Sequence, residues 1–77
     1  MPSRLVRLVA KVLEMPVDDV RPDTGPGTTG QWVSLRHLQI IAAVEDVYGV
    51  SFTPREIRGI RSLADLREFL RGRDVAE

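Results

Sequence analysis

Reactive groups have few places to sit in this chain. His37 is the single histidine, and Ser34 stands three positions before it. Residues three apart on a helix are neighbours, so a nucleophile and a base are within geometric reach of each other. A hydrolytic site also needs a group that orients the base, and a chain this small implies no deep pocket. His37 falls toward the apolar arc of its segment, so the expectation is a packed, hydrogen-bonded histidine. The acidic pairs Asp18-Asp19 and Glu45-Asp46 are adjacent in sequence, so their carboxylates point apart and form no natural acid/base couple. Asp18, Asp19 and Asp23 lack calcium-loop spacing and read as a solvated loop. Gly25-Pro26-Gly27-Thr28-Thr29-Gly30 is glycine-rich, yet it has no lysine and no preceding strand, which a phosphate-binding loop requires. Arg55, Arg58 and Arg61 recur at spacing three, and nearby acids nearly balance them. They read as a solvated face, with a protein-docking patch as the alternative.

Ser34 is the remaining candidate. It stands where a glycine-rich loop meets a helix, and an N-cap or first-turn serine is common there. A hydroxyl at a helix N-terminus is also a favourable place for a phosphate ester, because the dipole and the free N–H groups favour negative charge. Trp32, Val33 and Leu35 lie beside it. An exposed apolar side chain next to a modifiable hydroxyl suits a surface on which a partner docks.

The whole chain has 77 residues, enough for one domain spanning 1–77 with its core at about 4–71. A chain of this mass should present roughly 4,700 Å² when folded and bury about 60% of its open surface. Zero cysteines exclude disulfides and thiolate metal sites. Eleven basic and eleven acidic residues give no net charge, which argues against binding dominated by nucleic-acid phosphates. Apolar content of 43% with 29% charged residues fits a globular chain. No apolar run is long enough to span a membrane. Met1-Pro2-Ser3-Arg4 is not followed by the apolar core of a signal peptide, so a cytoplasmic protein is expected. Only Lys11 is lysine among the basic residues; the excess of arginine reads as compositional bias.

Four segments carry helical periodicity. From about Ser3 to Glu14, Leu5, Val6, Leu8, Val9, Val12 and Leu13 fall in one arc, with Arg4, Arg7, Lys11 and Glu14 opposite. Ser3 is the expected N-cap, and Pro16 blocks continuation. Residues 15–33 hold three prolines and three glycines and read as a long loop, pinned by Val17, Val20 and Trp32. From about Ser34 to Tyr48, Ile40, Ile41, Val44, Val47 and Tyr48 form the core face with His37. Leu35, Gln39, Ala42 and Asp46 lie opposite, with Leu38 at one edge. Gly49 is the stop. Thr53-Pro54-Arg55-Glu56 carries the signature of a capping box with proline at the first position and opens a short helix with Ile57 and Ile60. Ser62 opens the last helix, striped by Leu63, Leu66, Phe69 and Leu70 and closed by Gly72. The fold class is therefore all-α: a small four-helix bundle with three main helices, a short third helix and a long first loop.

The stretch Gly30-Gln31-Trp32-Val33-Ser34-Leu35-Arg36-His37-Leu38-Gln39, running on to Phe52, resembles an acyl carrier protein of the polyketide type. Such carriers show a tryptophan, an aspartate and serine-leucine, then a helix ending in acidic residues, an aromatic and glycine. Ile57, Ile60, Ser62, Leu63 and Leu66 match the family's short third and last helices, so the likeness covers about residues 4–71. It implies that Ser34 carries 4′-phosphopantetheine from coenzyme A, whose thiol holds acyl groups as thioesters. It implies no catalysis by the chain itself. Implied partners are a phosphopantetheinyl transferase and an acyl-loading enzyme, ketosynthase or acyltransferase of polyketide or related secondary metabolism. They would contact Val33, Leu35, Arg36, Leu38, Gln39 and Ala42. A stand-alone monomeric shuttle, binding neither nucleic acid nor membrane, is expected. The arm or its cargo would fold back between the second and third helices, near His37, Val44, Ile57 and Ile60.

Two features depart from that family. Val33 replaces the aspartate that helps the transferase recognise its substrate. The chain is neutral where carriers are often acidic, and Arg36 stands where an acid is common, so its partners should present apolar or acidic docking faces. Val33 also motivates an alternative reading, a carrier-like docking or scaffold domain that is never modified. A small helical adaptor or DNA-binding unit is the third.

Overall fold

In a computed structural model, the described residues are 3–27, 30 and 32–77, with Ser34 described by its backbone alone. Among them the chain is all-helical with no strand: α1 (Arg4–Leu13), α2 (Ser34–Tyr48), α3 (Pro54–Gly59) and α4 (Leu63–Gly72), with one 3-10 turn at Val17–Asp19. The accessible surface is 4948 Å², close to the area expected for this mass. No helix among the described residues is long and apolar enough to cross a membrane.

Local chemistry sets most of the boundaries. The Ser3 hydroxyl accepts the Val6 N–H at 3.2 Å and starts α1. Leu5, Val6, Val9, Ala10 and Leu13 then enter the core. The helix stops at Glu14, which turns left-handed at φ 55. That conformation costs a non-glycine residue about 1 kcal/mol. It is offset by a Schellman pair: the Glu14 N–H reaches the Lys11 carbonyl and the Met15 N–H reaches Ala10. Gly49 makes the same left-handed stop after α2. Thr53 and Glu56 close a reciprocal capping box on α3. The Thr53 N–H, bonded to the Glu56 carboxylate at 2.8 Å, holds that carboxyl below its ordinary range, and the Arg73 guanidinium adds to the effect. Ser62 caps α4 by accepting the Asp65 N–H. Gly72 is still helical; the chain leaves at Arg73, and Asp74 takes the left-handed position.

The core joins these elements. Ile40, Ile41 and Val44 of α2 meet α1 and the buried face of α4, Leu63, Leu66 and Leu70. Phe52 stacks on Phe69 with centroids 3.8 Å apart, and its N–H is held by the Glu45 carboxylate at 2.8 Å. Two expected core residues lie elsewhere. Val47 is 44% exposed, at the margin of an apolar arc wider than the other helices cover. Val17, after the extended Pro16, stays 37% exposed, while Val20 takes the inward position.

The long loop is secured by α4. The first N–H groups of α4 have no helical partner, and the loop supplies acceptors: Leu63 N–H to the Thr24 carbonyl and Ala64 N–H to the Pro22 carbonyl, each 2.9 Å. The buried Thr24 hydroxyl accepts the Arg21 N–H and holds the loop's turn. Between these bonds Gly25 presses against the backbone of Arg61 and Ser62, and a methyl group there would overlap the Arg61 carbonyl.

Gly25→Ala should therefore destabilise the fold by at least about 1–3 kcal/mol. Gly27→Ala, with open space around it, should stay within about 0.5 kcal/mol of the parent. Paired thermal melts check this; at roughly 4–8 °C per kcal/mol for a domain this size, equal melting points would contradict the close approach. Tyr48 makes a second case. Its hydroxyl is buried with no hydrogen-bond partner among the described residues, and burial pushes the phenol above its ordinary value of 10.0, against an opposing pull from Arg4. A raised folded value stabilises the fold below the ordinary phenol range, and that contribution is lost as pH rises through it. Tyr48→Phe should be neutral or stabilising by up to about 1 kcal/mol at pH 7 and should flatten the phenol part of the alkaline fall, as measured by urea titrations from pH 7 to 11.

Candidate functional site

The N-terminal end of α2 is built by three side chains in series. Trp32, only 1% exposed, anchors the end of the long loop. Its indole N–H donates to His37 Nδ1 at 2.9 Å. His37 Nε2 lies 2.8 Å from the Ile57 carbonyl at the end of α3. An indole nitrogen only donates and a carbonyl only accepts. These partners assign the neutral tautomer with the proton on Nε2. One imidazole thus joins the loop, α2 and α3, with the two rings 6.0 Å apart and tilted. Both ring nitrogens are engaged, which leaves none to take a proton from a nucleophile. His37 is the packed, hydrogen-bonded residue that its place in the apolar arc implied.

Position 34 is the first residue of α2. Its hydroxyl, the centre of the functional expectation, lies outside the described residues, as do Thr28, Thr29 and Gln31 of the preceding loop. The backbone around it is clear. Val33 is the N-cap, extended at φ −98 and ψ 171, and it offers no side-chain acceptor to the first turn. The first helical bond is His37 N–H to the Val33 carbonyl at 2.8 Å. Among the described side chains none caps the start of α2, whereas Ser3, Thr53 and Ser62 cap α1, α3 and α4.

An apolar collar surrounds this start. Leu35 is 65% exposed, and Val33 and Leu38 are more than half exposed. Gln39 and Ala42 are also at the surface. Arg36 has a different environment: its guanidinium reaches back to the Val12 carbonyl at 3.1 Å and to the Glu14 carboxylate at 2.8 Å. It braces the C-terminal end of α1, where a cation meets the negative pole of the helix.

Beside the collar an open groove of about 660 Å³ runs between α2 and α3. Trp32, His37, Leu38, Ile57 and Ile60 wall it, and Arg58 and Arg61 stand at its edge. Of the residues expected near a folded-back arm, His37, Ile57 and Ile60 line this groove, whereas Val44 is fully buried in the core. Arg61 has left the helix, since α3 ends at Gly59 and Ile60 is extended. The row Arg55, Arg58 and Arg61 is therefore no continuous helical face. The Trp32–His37 bond and the brace by Arg36 escaped sequence reasoning because each joins residues that periodicity treats separately. The only local hint was a tryptophan in a loop and a lone histidine in an apolar arc.

No family model matches this chain, and no curated protein matches it. The likeness to acyl carriers therefore rests on the residues quoted for it.

The missing cap supplies a direct check of this geometry. Val33→Asp places a carboxylate at the N-cap, where it can accept a first-turn N–H and meet the positive end of the dipole. It should stabilise the fold by about 0.5–2 kcal/mol at pH 7, read by urea denaturation, and the gain should fade below the carboxylate range.

Proposed function

We propose that this chain is an acyl carrier: Ser34 bears 4′-phosphopantetheine, and the bundle presents the attached acyl group to partner enzymes. The observation that carries this reading is the surroundings of position 34. A serine opens a long helix whose N-cap residue, Val33, offers no side-chain acceptor. An exposed apolar collar surrounds it, and an apolar groove lies alongside. First-turn amides that Val33 leaves without a side-chain acceptor suit the phosphate of such an arm. The groove, walled by Trp32, Ile57 and Ile60, can shelter a short apolar cargo from water. When attached, the arm supplies a thiol that holds acyl groups as thioesters.

The chain's own residues then position and present. Trp32 and His37 keep the loop and α3 fixed about the tether point. Val33, Leu35, Leu38, Gln39 and Ala42 form the surface a partner covers. Arg36 contributes mainly by bracing α1. The expected partners are a phosphopantetheinyl transferase and an acyl-loading enzyme, ketosynthase or acyltransferase, in polyketide or related secondary metabolism in the cytoplasm. The chain performs no chemistry on the cargo.

Val33 favours one second reading, an unmodified docking domain of the same shape. Intact-mass measurement after incubation with coenzyme A and a broad-specificity transferase separates the two. The carrier reading expects the mass gain of one phosphopantetheinyl group, abolished in Ser34→Ala. No gain with any transferase overturns it. A gain that appears only in Val33→Asp assigns the natural chain to the docking class.

A further inference from the structure

A second groove, of about 680 Å³, lies between α1 and α2 and shares no lining residue with the first. Its floor is Leu8, Val12, Ala43 and Val47, and Arg4, Arg7 and Lys11 stand on it from α1. No acidic side chain lines it. α1 itself contains no aspartate or glutamate. None of the three cations makes an ion pair among the described residues; Arg4 instead lies over the Tyr48 ring, 5.7 Å from its centroid. The nearest acid in sequence, Glu14, is held by Arg36, and Glu45 of α2 is held by the Phe52 N–H. A neutral chain thus concentrates three positive charges without ion-pair partners around an apolar trough, and none of the described residues fills that trough, which leaves Val47 exposed.

We infer that this trough is a docking site for an acidic amphipathic helix of a partner protein, whose apolar stripe enters the floor and whose carboxylates meet Arg4, Arg7 and Lys11. Charge complementarity selects the occupant. Helix-in-groove docking uses apolar anchors at helical spacing with flanking charge, and the trough provides both counterparts. A second copy of this chain is a poorer occupant: the carboxylates of its α3 and α4, Glu56, Asp65 and Glu68, are already held by partners of their own. A partner seated here shares only Gln39 with the surface proposed around position 34 and leaves Val33, Leu35 and Leu38 uncovered, and the inference stands whether or not Ser34 is modified.

The probe is a fluorescent helical peptide of about 14 residues, with leucines at spacings of three and four and glutamates on the flanks. A twin has lysine in place of each glutamate. Fluorescence anisotropy should show saturable binding of the acidic peptide, at least about tenfold tighter than the lysine twin, and weakening as salt rises. Arg7→Glu with Lys11→Glu should lower that affinity at least about tenfold. Val47→Asp, an exposed position whose change spares the core, should lower it while leaving the melting temperature near the parent's. Equal binding of the two peptides, or binding of neither, overturns the inference. So does sedimentation of the protein with phosphatidylglycerol vesicles in the absence of peptide binding. Self-association that disappears in Lys11→Glu and excludes the peptide assigns the trough to a second copy instead.

Discussion

One imidazole holds the functional end of this bundle together. His37 sits in α2, accepts from the loop through the indole of Trp32 and donates to α3 through the carbonyl of Ile57. The two bonds are opposite in sense, so only the neutral ring with its proton on Nε2 makes both. A doubly protonated ring loses the Trp32 bond, and a ring rotated by half a turn about Cβ–Cγ would present carbons where the nitrogens stand. Buried polar groups must be paired or they cost stability. The nearly fully buried indole and the imidazole beside it satisfy each other. The groove beside position 34 exists because this chain of bonds sets the distance between α2 and α3. The short α3, six residues long, is too brief to be stable alone. It depends on that bond, on its capping box and on the Glu56–Arg73 pair at 2.8 Å.

The long loop is ordered by a comparable economy of unsatisfied groups. α4 begins with free amides, and the loop, whose one regular stretch among the described residues is the 3-10 turn at Val17–Asp19, has free carbonyls. Pairing Thr24 and Pro22 with Leu63 and Ala64 settles both deficits at once. This contact requires backbone to touch backbone, which is why a residue without a Cβ stands at position 25. The loop then delivers Trp32 to its buried place, so the contact with α4 and the imidazole are successive links in positioning the start of α2.

Those links mark the limit of what was legible in the sequence. Elements whose signals are local could be read directly: the Ser3, Thr53-Glu56 and Ser62 caps, the Gly49 stop and the apolar stripes of α1 and α4. The four-helix class follows from them. The exposed positions of Leu35, Leu38, Gln39 and Ala42 also follow from the helical wheel. What could not be read joins residues far apart in the chain. Gly25 meets Arg61, and Arg36 reaches Val12; neither partner shares a local pattern with the other. Val47 shows a different limit. The wheel places it correctly in an apolar arc, but the width of that arc does not tell how much of it other helices will cover.

Charge shows the same division between local and global. The total is zero, yet the two signs are used differently. Glu14, Glu45, Glu56, Asp65, Glu68 and Glu77, six of the eleven acidic residues, each hold a named partner: an arginine, a backbone N–H or both. Arg4, Arg7, Lys11, Arg55, Arg58 and Arg61 have no ion-pair partner among the described residues. Acids thus serve mainly as caps and braces, while much of the basic complement faces outward. A carboxylate paired with an arginine presents little net field to an approaching molecule, whereas one bound only to amides keeps its charge. The cations of α1 and of the α3 region have no such pairing among the described residues. An incoming macromolecule therefore meets locally basic patches along α1 and beside the groove at α3. That is why recognition of this chain should favour acidic partners although its sequence is electrically neutral.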